Sequence, residues 1–398
     1  MSKVKVGLLA LIPTALIAAL AIAGITTRNN QKFVSPLGTS FSLYAFENKK
    51  ESAYMVYGFL PYWSLPDIEY LQPDKLTDIA YFGLYINRNG TFQTDEPGYT
   101  NWRNSSALTD LFRKVQNSRV RISLTVLSHD ELTSEQFLNC EKCWATFMTS
   151  LKEELDYRHI VNVNLNFESS GEVSEAVADK YTKFVSFVNR NLKRIYGHNA
   201  KLVVSVFADA FVKPRITKAK DLAEISDQLF IMAYDFSRPD SDYAGAVAPI
   251  TGSNYNITTM LQDYLANIPA NKLLLGVPYY GYNWVVQTAK PNAQRIPGTD
   301  YIGYSQSQIY SYILDTLLDL RIKTQWDDLA KSPFFTYVSP ASGSTRQVYF
   351  ENVQSLREKY KLVKQHELAG IGIWALGYDG GYVDLWELLK EQFFSPLL

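Results

Sequence analysis

Eight short apolar runs, separated by amphipathic stretches, constrain this chain more than any other feature. They fall at residues 55–62, 78–85, 120–127, 160–168, 201–207, 228–235, 273–280 and 370–376. Most are rich in Val, Ile, Leu and aromatic residues, the composition of strands buried on both faces. Helical patterns fill intervals between them, as at 107–116, 172–196 and 256–266. Eight strands with intervening helices predict a parallel sheet closed into a (β/α)8 TIM barrel. An open doubly wound sheet is the alternative, but no glycine-rich phosphate loop follows the first run. About ninety residues separate the last two runs, too many for one helix and its loops. Within them 305–320 reads as a helix, and 334–338 and 346–350 as two strands joined by the turn-rich 340–345. The expectation is an α+β insertion over about residues 285–350, placed to wall one side of a cleft.

Residues 6–25 form an uncharged run dominated by Ala, Leu and Ile, preceded by Lys3 and Lys5. At helical rise this length matches a hydrocarbon core of roughly 30 Å, which predicts an N-terminal transmembrane helix. The flanking lysines keep the N-terminus cytoplasmic and the barrel outside. The alternative is secretion after cleavage near Ala23, where Ala21-Ile22-Ala23 offers a small-residue site. Signal-peptide apolar regions are usually shorter, so an uncleaved anchor is the preferred reading. Residues 26–50 then read as a polar tether and 51–398 as the barrel.

Composition excludes several classes. Lys and Arg total 39 against 40 Asp and Glu, a net charge of -1, which lacks the cationic excess of a nucleic-acid binder. Two Cys rule out a disulfide scaffold or a multi-cysteine zinc fold. The four His show no HExxH spacing, so a metal site is not expected. Cys140-Glu141-Lys142-Cys143 could belong to a redox protein, but a local disulfide or two ordinary cysteines is the preferred reading. Aromatic residues make up 14% of the chain, which suits either a large core or a ring-lined cleft.

In such a barrel, function gathers at the C-terminal ends of the strands. The fourth run reads Val161-Asn162-Val163-Asn164-Leu165-Asn166-Phe167-Glu168. Side chains alternate, so the apolar set faces the helices while Asn162, Asn164, Asn166 and Glu168 face the barrel interior. Buried asparagines need partners, and a purely structural ladder is one reading. The functional reading makes Glu168 an acid at the cleft, its pKa raised by partial burial, with Asn166 beside it to orient a substrate amide. On the sixth run Met232 and Tyr234 share a face, followed by Asp235. The seventh brings Tyr280 and Trp284 near one strand end. The eighth sets Trp374 on a glycine-lined face, with room for a flat ligand over the indole.

Together these segments resemble family 18 glycoside hydrolases, the chitinase-like barrels. Glu168 holds the place of the family's catalytic acid; Met232–Asp235 matches its Met-x-Tyr-Asp and Gly276–Gly281 its Gly-x-Pro-x-Tyr-Gly. Trp374 matches its strand-eight Trp, and Trp326-Asp327, Tyr349 and Ser355-Leu356 also fall at family-like positions. The resemblance implies substrate-assisted hydrolysis of β-linked N-acetylglucosamine glycans, whether chitin-like or peptidoglycan-like, one of the exceptions to the two-carboxylate scheme. It assigns catalysis to Glu168, Asn166 and Tyr234 and implies no need for a metal or cofactor. Substrate contacts fall to Asp235, Met232, Trp374, Tyr280, Trp284 and Asn164. The family's strand-four DGxDxDxE departs here to Asn164 and Asn166 at the inner acids, and its Ser-x-Gly-Gly is replaced near Val126-Leu127-Ser128-His129. Family 85 endo-N-acetylglucosaminidases also pair Asn with Glu. The competing expectation is a silent, lectin-like barrel that binds such glycans without cleaving them.

Overall fold

The computed structural model describes residues 35–38, 52–116, 118–169 and 171–395. The run at 6–25, and with it the expected transmembrane helix or signal segment, lies outside the described residues. Among those described, no helix is long and apolar enough to cross a membrane. Of the expected tether, residues 35–38 rest on the barrel: Leu37 is buried, and the Pro36 carbonyl accepts a hydrogen bond from Arg113 at 3.1 Å.

The barrel strands are β1 (Met55–Pro61), β2 (Asp78–Tyr85), β3 (Arg121–Ser128), β4 (Asn162–Phe167), β5 (Leu202–Phe207), β6 (Gln228–Met232) and β7 (Leu273–Pro278). After β7 the chain makes β8 (Tyr280–Val285), β9 (Gln306–Ile309), β10 (Gln325–Asp327), β11 (Ser332–Val338) and β12 (Thr345–Tyr349), and it then re-enters the barrel as β13 (Gly370–Trp374). The eight barrel strands close in the order β1-β13-β7-β6-β5-β4-β3-β2, every pair parallel. This is the expected (β/α)8 barrel. The segment between β7 and β13 is a separate five-stranded antiparallel sheet in the order β10-β11-β12-β8-β9.

The sheet in the insertion is larger than the sequence pattern suggests. The seventh run does not continue through Tyr280: the barrel strand stops at Pro278 and a new, antiparallel strand begins at Tyr280. The helix expected over 305–320 is split, with β9 taking Gln306–Ile309 before a helix at Tyr310–Asp319. Polar, exposed β9 pairs with β8, and that cross-strand pairing overrides the helical periodicity.

Alternation along β4 divides the packing as anticipated. Val163, Leu165 and Phe167 join the apolar layer between barrel and helices. The helices there include α1 (Pro97–Asn104), α2 (Ser106–Val115), α3 (Glu131–Leu138), α4 (Glu141–Arg158) and α5 (Glu175–Tyr196). Helix α5 buries Ala178, Tyr181, Phe184, Val185, Val188 and Leu192, a single stripe at helical spacing. Phe184 is the hub of this layer, with its ring 4.9 Å from Phe137 of α3, 5.2 Å from Phe147 and 5.6 Å from Trp144 of α4, and 5.8 Å from Phe167 of β4. The barrel interior holds a second cluster, including Tyr57, Phe59, Phe82, Leu127 and Phe230. Cys140 and Cys143 form a disulfide at the start of α4, the local pairing preferred over a thioredoxin-like site.

Because Phe184 joins three helices to β4, Phe184→Ala should cost about 3–5 kcal/mol through the cavity it leaves. Urea unfolding followed by circular dichroism checks this.

Candidate active site

A cleft of about 920 Å³ opens at the C-terminal mouth of the barrel. Its position follows from strand register. Leu127 of β3 pairs with Asn166 of β4, and Ser128 with Phe167. The Glu168 amide then donates to the Ser128 carbonyl at 2.9 Å, which fastens the two strand ends together. Glu168 faces the cleft with its side chain about one-third exposed (33%). Asn166 Nδ2 donates to Glu168 Oε1 at 2.7 Å. His129 Nε2 lies 3.4 Å from the same carboxylate oxygen, and 3.4 Å from Asn166 Nδ2.

These contacts correct the expected state of Glu168. Burial does push its pKa up, but the hydrogen bonds from His129 and Asn166, with the charges of His129 and Arg238, outweigh it and hold the carboxyl below its ordinary value. At neutral pH Glu168 therefore rests as a carboxylate. Tyr234 behaves oppositely: burial, then the nearby charges of Glu168 and Asp235, lifts its pKa well above the usual phenol value, so it stays a donor.

Tyr234 and Met232 both line the cleft, as does Asp235. Asp235 adopts φ +62°, in the left-handed region that Asp tolerates better than most residues. Its Oδ1 accepts hydrogen bonds from the hydroxyls of Tyr280 and, at 2.6 Å, Tyr282. Trp374 lines the cleft next to Phe82, ring centroids 4.7 Å apart and edge-to-face. The space left by Gly372 is not ligand space: a Cβ there would meet the Phe230 ring at 2.2 Å.

Two expected substrate contacts are not in the cleft. Asn164 is fully buried one level below Asn166, and its Nδ2 donates to Ser205 Oγ at 3.2 Å. It is a satisfied rung of the asparagine ladder, as is Asn162, which bonds the Ile122 carbonyl and the Lys201 amide. Trp284 is likewise fully buried, because β8 turns it into the insertion's core against Tyr282 and Tyr349. Its indole N–H donates to the Arg238 carbonyl at 3.0 Å.

The cleft also holds residues that sequence reasoning passed over, namely Trp63, Tyr85, His129 and Arg238. Trp63 follows β1, is 44% exposed, and donates its indole N–H to Tyr378 at 3.2 Å. His129 follows directly on β3, and its position at a strand's C-terminal end was the signal available. Among the described residues, no group of three or more His, Cys, Asp or Glu is arranged to hold a metal.

The sequence profile of "Glycosyl hydrolases family 18" matches residues 52–379, spanning the whole barrel and its insertion. The chain belongs to glycosyl hydrolase family 18. Among family 18 relatives, it is 28% identical to a putative sporulation-specific glycosylase of Bacillus subtilis over 252 residues, 62% of this chain and 54% of the relative. It is 26% identical to the cortical fragment-lytic enzyme of the same organism over 328 residues, 80% of this chain and 68% of that one. This chain thus spans only about half the length of the first of these relatives. The barrel superposes on a Group IV chitinase of Ostrinia furnacalis, crystallised with allosamidin, with a TM-score of 0.74 at 20% identity, over 85% of this chain and 97% of that one.

The two tryptophans yield a direct comparison. Trp284→Ala should cost about 3–5 kcal/mol as a core truncation. Trp63→Ala, at the exposed cleft rim, should stay within about 0.5 kcal/mol of wild type. Denaturant titration of both variants measures the contrast.

Proposed function

We propose that this chain is an extracytoplasmic glycoside hydrolase that cleaves β-linked N-acetylglucosamine glycans by a substrate-assisted, retaining mechanism. The observation that carries this reading is the Asn166–Glu168 pair, bonded at 2.7 Å, at the cleft mouth beside Tyr234. Glu168 protonates the glycosidic oxygen as the C–O bond breaks. The substrate's own acetamido oxygen attacks the anomeric carbon and closes an oxazolinium ring. Water then opens the ring, with Glu168 as base taking its proton. Asn166 spends Nδ2 on Glu168, which leaves Oδ1 to accept the acetamide N–H. The Tyr234 phenol donates to the acetamide oxygen, and Trp374 stacks beneath the sugar ring. Met232, Asp235 and Tyr280 complete the wall around the bound sugar.

Substrate class draws support from relatives named as a sporulation-specific glycosylase, a cortical fragment-lytic enzyme and, at 30% identity over 191 residues, human di-N-acetylchitobiase. Placement outside the cytoplasm rests on the apolar run at 6–25, read as a membrane anchor or, alternatively, a signal removed near Ala23. A second reading, a silent glycan-binding barrel, is favoured by one feature: amides at 164 and 166 in place of inner acids.

Hydrolysis of fluorogenic N-acetylchitooligosaccharides decides between the readings. Wild type should turn over, and Glu168→Gln should lose at least about a hundredfold in kcat while binding the oligosaccharide as well as wild type. Binding without turnover by wild type would select the lectin-like reading. Asn166→Asp should raise the rate, because a carboxylate stabilises the developing oxazolinium charge directly and, as a like charge, raises the Glu168 pKa. A fall in rate would mean the site is built around the amide.

A further inference from the structure

His129 is fixed at both ring nitrogens. Nε2 faces Glu168 Oε1 and Asn166 Nδ2, each at 3.4 Å. Nδ1 lies 3.3 Å from the Tyr85 hydroxyl, and the Tyr85 ring stands edge-on to the imidazole at 5.3 Å. Strand register explains the placement: with Leu127 opposite Asn166, two further residues along each strand direction bring His129 and Glu168 side by side on the inward face. The contact is therefore a consequence of the barrel ladder rather than of a loose loop.

The chemistry leaves a gap that this residue fits. Glu168 must carry a proton before it can act as an acid. Its amide neighbour Asn166 can bond the carboxylate but has no proton to lend. We propose that Glu168 and His129 share one working proton, with His129 as the positioning residue that returns it to the acid. The step is a transfer from imidazolium Nε2 to carboxylate Oε1, which yields neutral imidazole and carboxylic acid. The acid then gives that proton to the glycosidic oxygen. In the second half-reaction Glu168 regains a proton from the attacking water, so the pair ends as it began. Tyr85 supports the cycle from the other side: loss of the Nε2 proton leaves the neutral ring as its Nδ1–H tautomer, so Nδ1–H donates to the Tyr85 hydroxyl in both states and holds the ring oriented.

Few other charges act on the pair. Arg238, from the loop after β6, acts on Glu168. Asp130, next along the chain from His129, is engaged in capping α3, where its Oδ2 accepts from the Thr133 amide at 2.7 Å. Tyr234 across the cleft stays a neutral phenol. The direction of the Glu168 shift agrees with the geometry, since His129 is among the groups holding its carboxyl low. In a coupled pair the protons leave in steps that belong to the pair rather than to either residue. The active, singly protonated form is lost only when the pair gives up its last proton. Without His129, the working proton must reside on Glu168 alone, and a lone carboxyl titrates about two units below an imidazole.

This inference rests on the reading of Glu168 as the acid, so its test has two arms. The first is the pH profile of kcat/KM in wild type, His129→Phe and His129→Gln. Both variants should move the alkaline limb about one to two units toward acid. His129→Gln, which keeps a donor but no titrating group, should retain more of the wild-type kcat at the acidic end. A merely structural histidine would instead be rescued by Gln with its limb unmoved, which would overturn the proposal. The second arm needs no turnover: the carboxyl carbon of Glu168 is titrated by 13C NMR in wild type and His129→Phe. Its midpoint should rise in the variant, and an unchanged midpoint would also overturn the pairing. If wild type fails to cleave any glycan, the glycosidase reading falls, while the carbon titration still decides whether the two side chains share a proton.

Discussion

Closure of the barrel between β1 and β13 is the constraint on which the site depends. These strands come from opposite ends of the folded region and pair from Met55–Gly370 to Gly58–Ile373. Their approach is so close at Gly370 that a Cβ would lie 2.0 Å from the Met55 carbonyl oxygen. Only glycine permits that contact. Once the ring is closed, each strand's pleat is locked, and inward side chains have one place to go. Trp374, at the end of β13, is held over Phe59 and Phe82 by this closure, with ring centroids at 5.8 and 4.7 Å.

Within the closed ring, β4 shows how one strand can serve both stability and chemistry. Its outward residues sit in the layer with α3, α4 and α5. Its inward residues form a graded series. Asn162 satisfies backbone groups of neighbouring strands at the lower end, Asn164 bonds Ser205 in the middle, and Asn166 reaches Glu168 at the mouth. Burying three amides is tolerable because each finds a partner. The rigid lower rungs hold Asn166 in place, and pre-organisation of this kind is what an active site needs from its scaffold.

The barrel was legible in the sequence because parallel strands buried on both faces leave uninterrupted apolar runs, and β2 falls at 78–85 as expected. The insertion was legible only in part. β11 and β12 stand out as strands, whereas the sequence pattern does not separate β8 from the aromatic run that ends β7, nor β9 from the helix that follows it. Aromatic density there does not show which way a ring points, and Trp284, expected in the cleft, is enclosed by the insertion's core. The site divided in the same manner. Glu168, Asn166, Tyr234 and Trp374 could be found from a strand's two-residue alternation and its end. The place of His129 at the end of β3 could be read in the same way, but its pairing with Glu168 could not, because the partner lies thirty-nine residues away and the two meet only through the β3–β4 register. For the same reason, burial alone misjudges Glu168, whose charge state is set by His129 after β3, Asn166 on its own strand and Arg238 after β6.

The central claim is that one carboxylate, with the substrate's own acetamide as nucleophile, carries the reaction. Proton NMR of a freshly cleaved N-acetylchitooligosaccharide tests it most directly, by following the anomeric signal of the first product before mutarotation. The β-anomer should appear first, since two displacements at the anomeric carbon retain its configuration. First appearance of the α-anomer would mean single displacement by water, and would contradict a mechanism built on Glu168 and the acetamide.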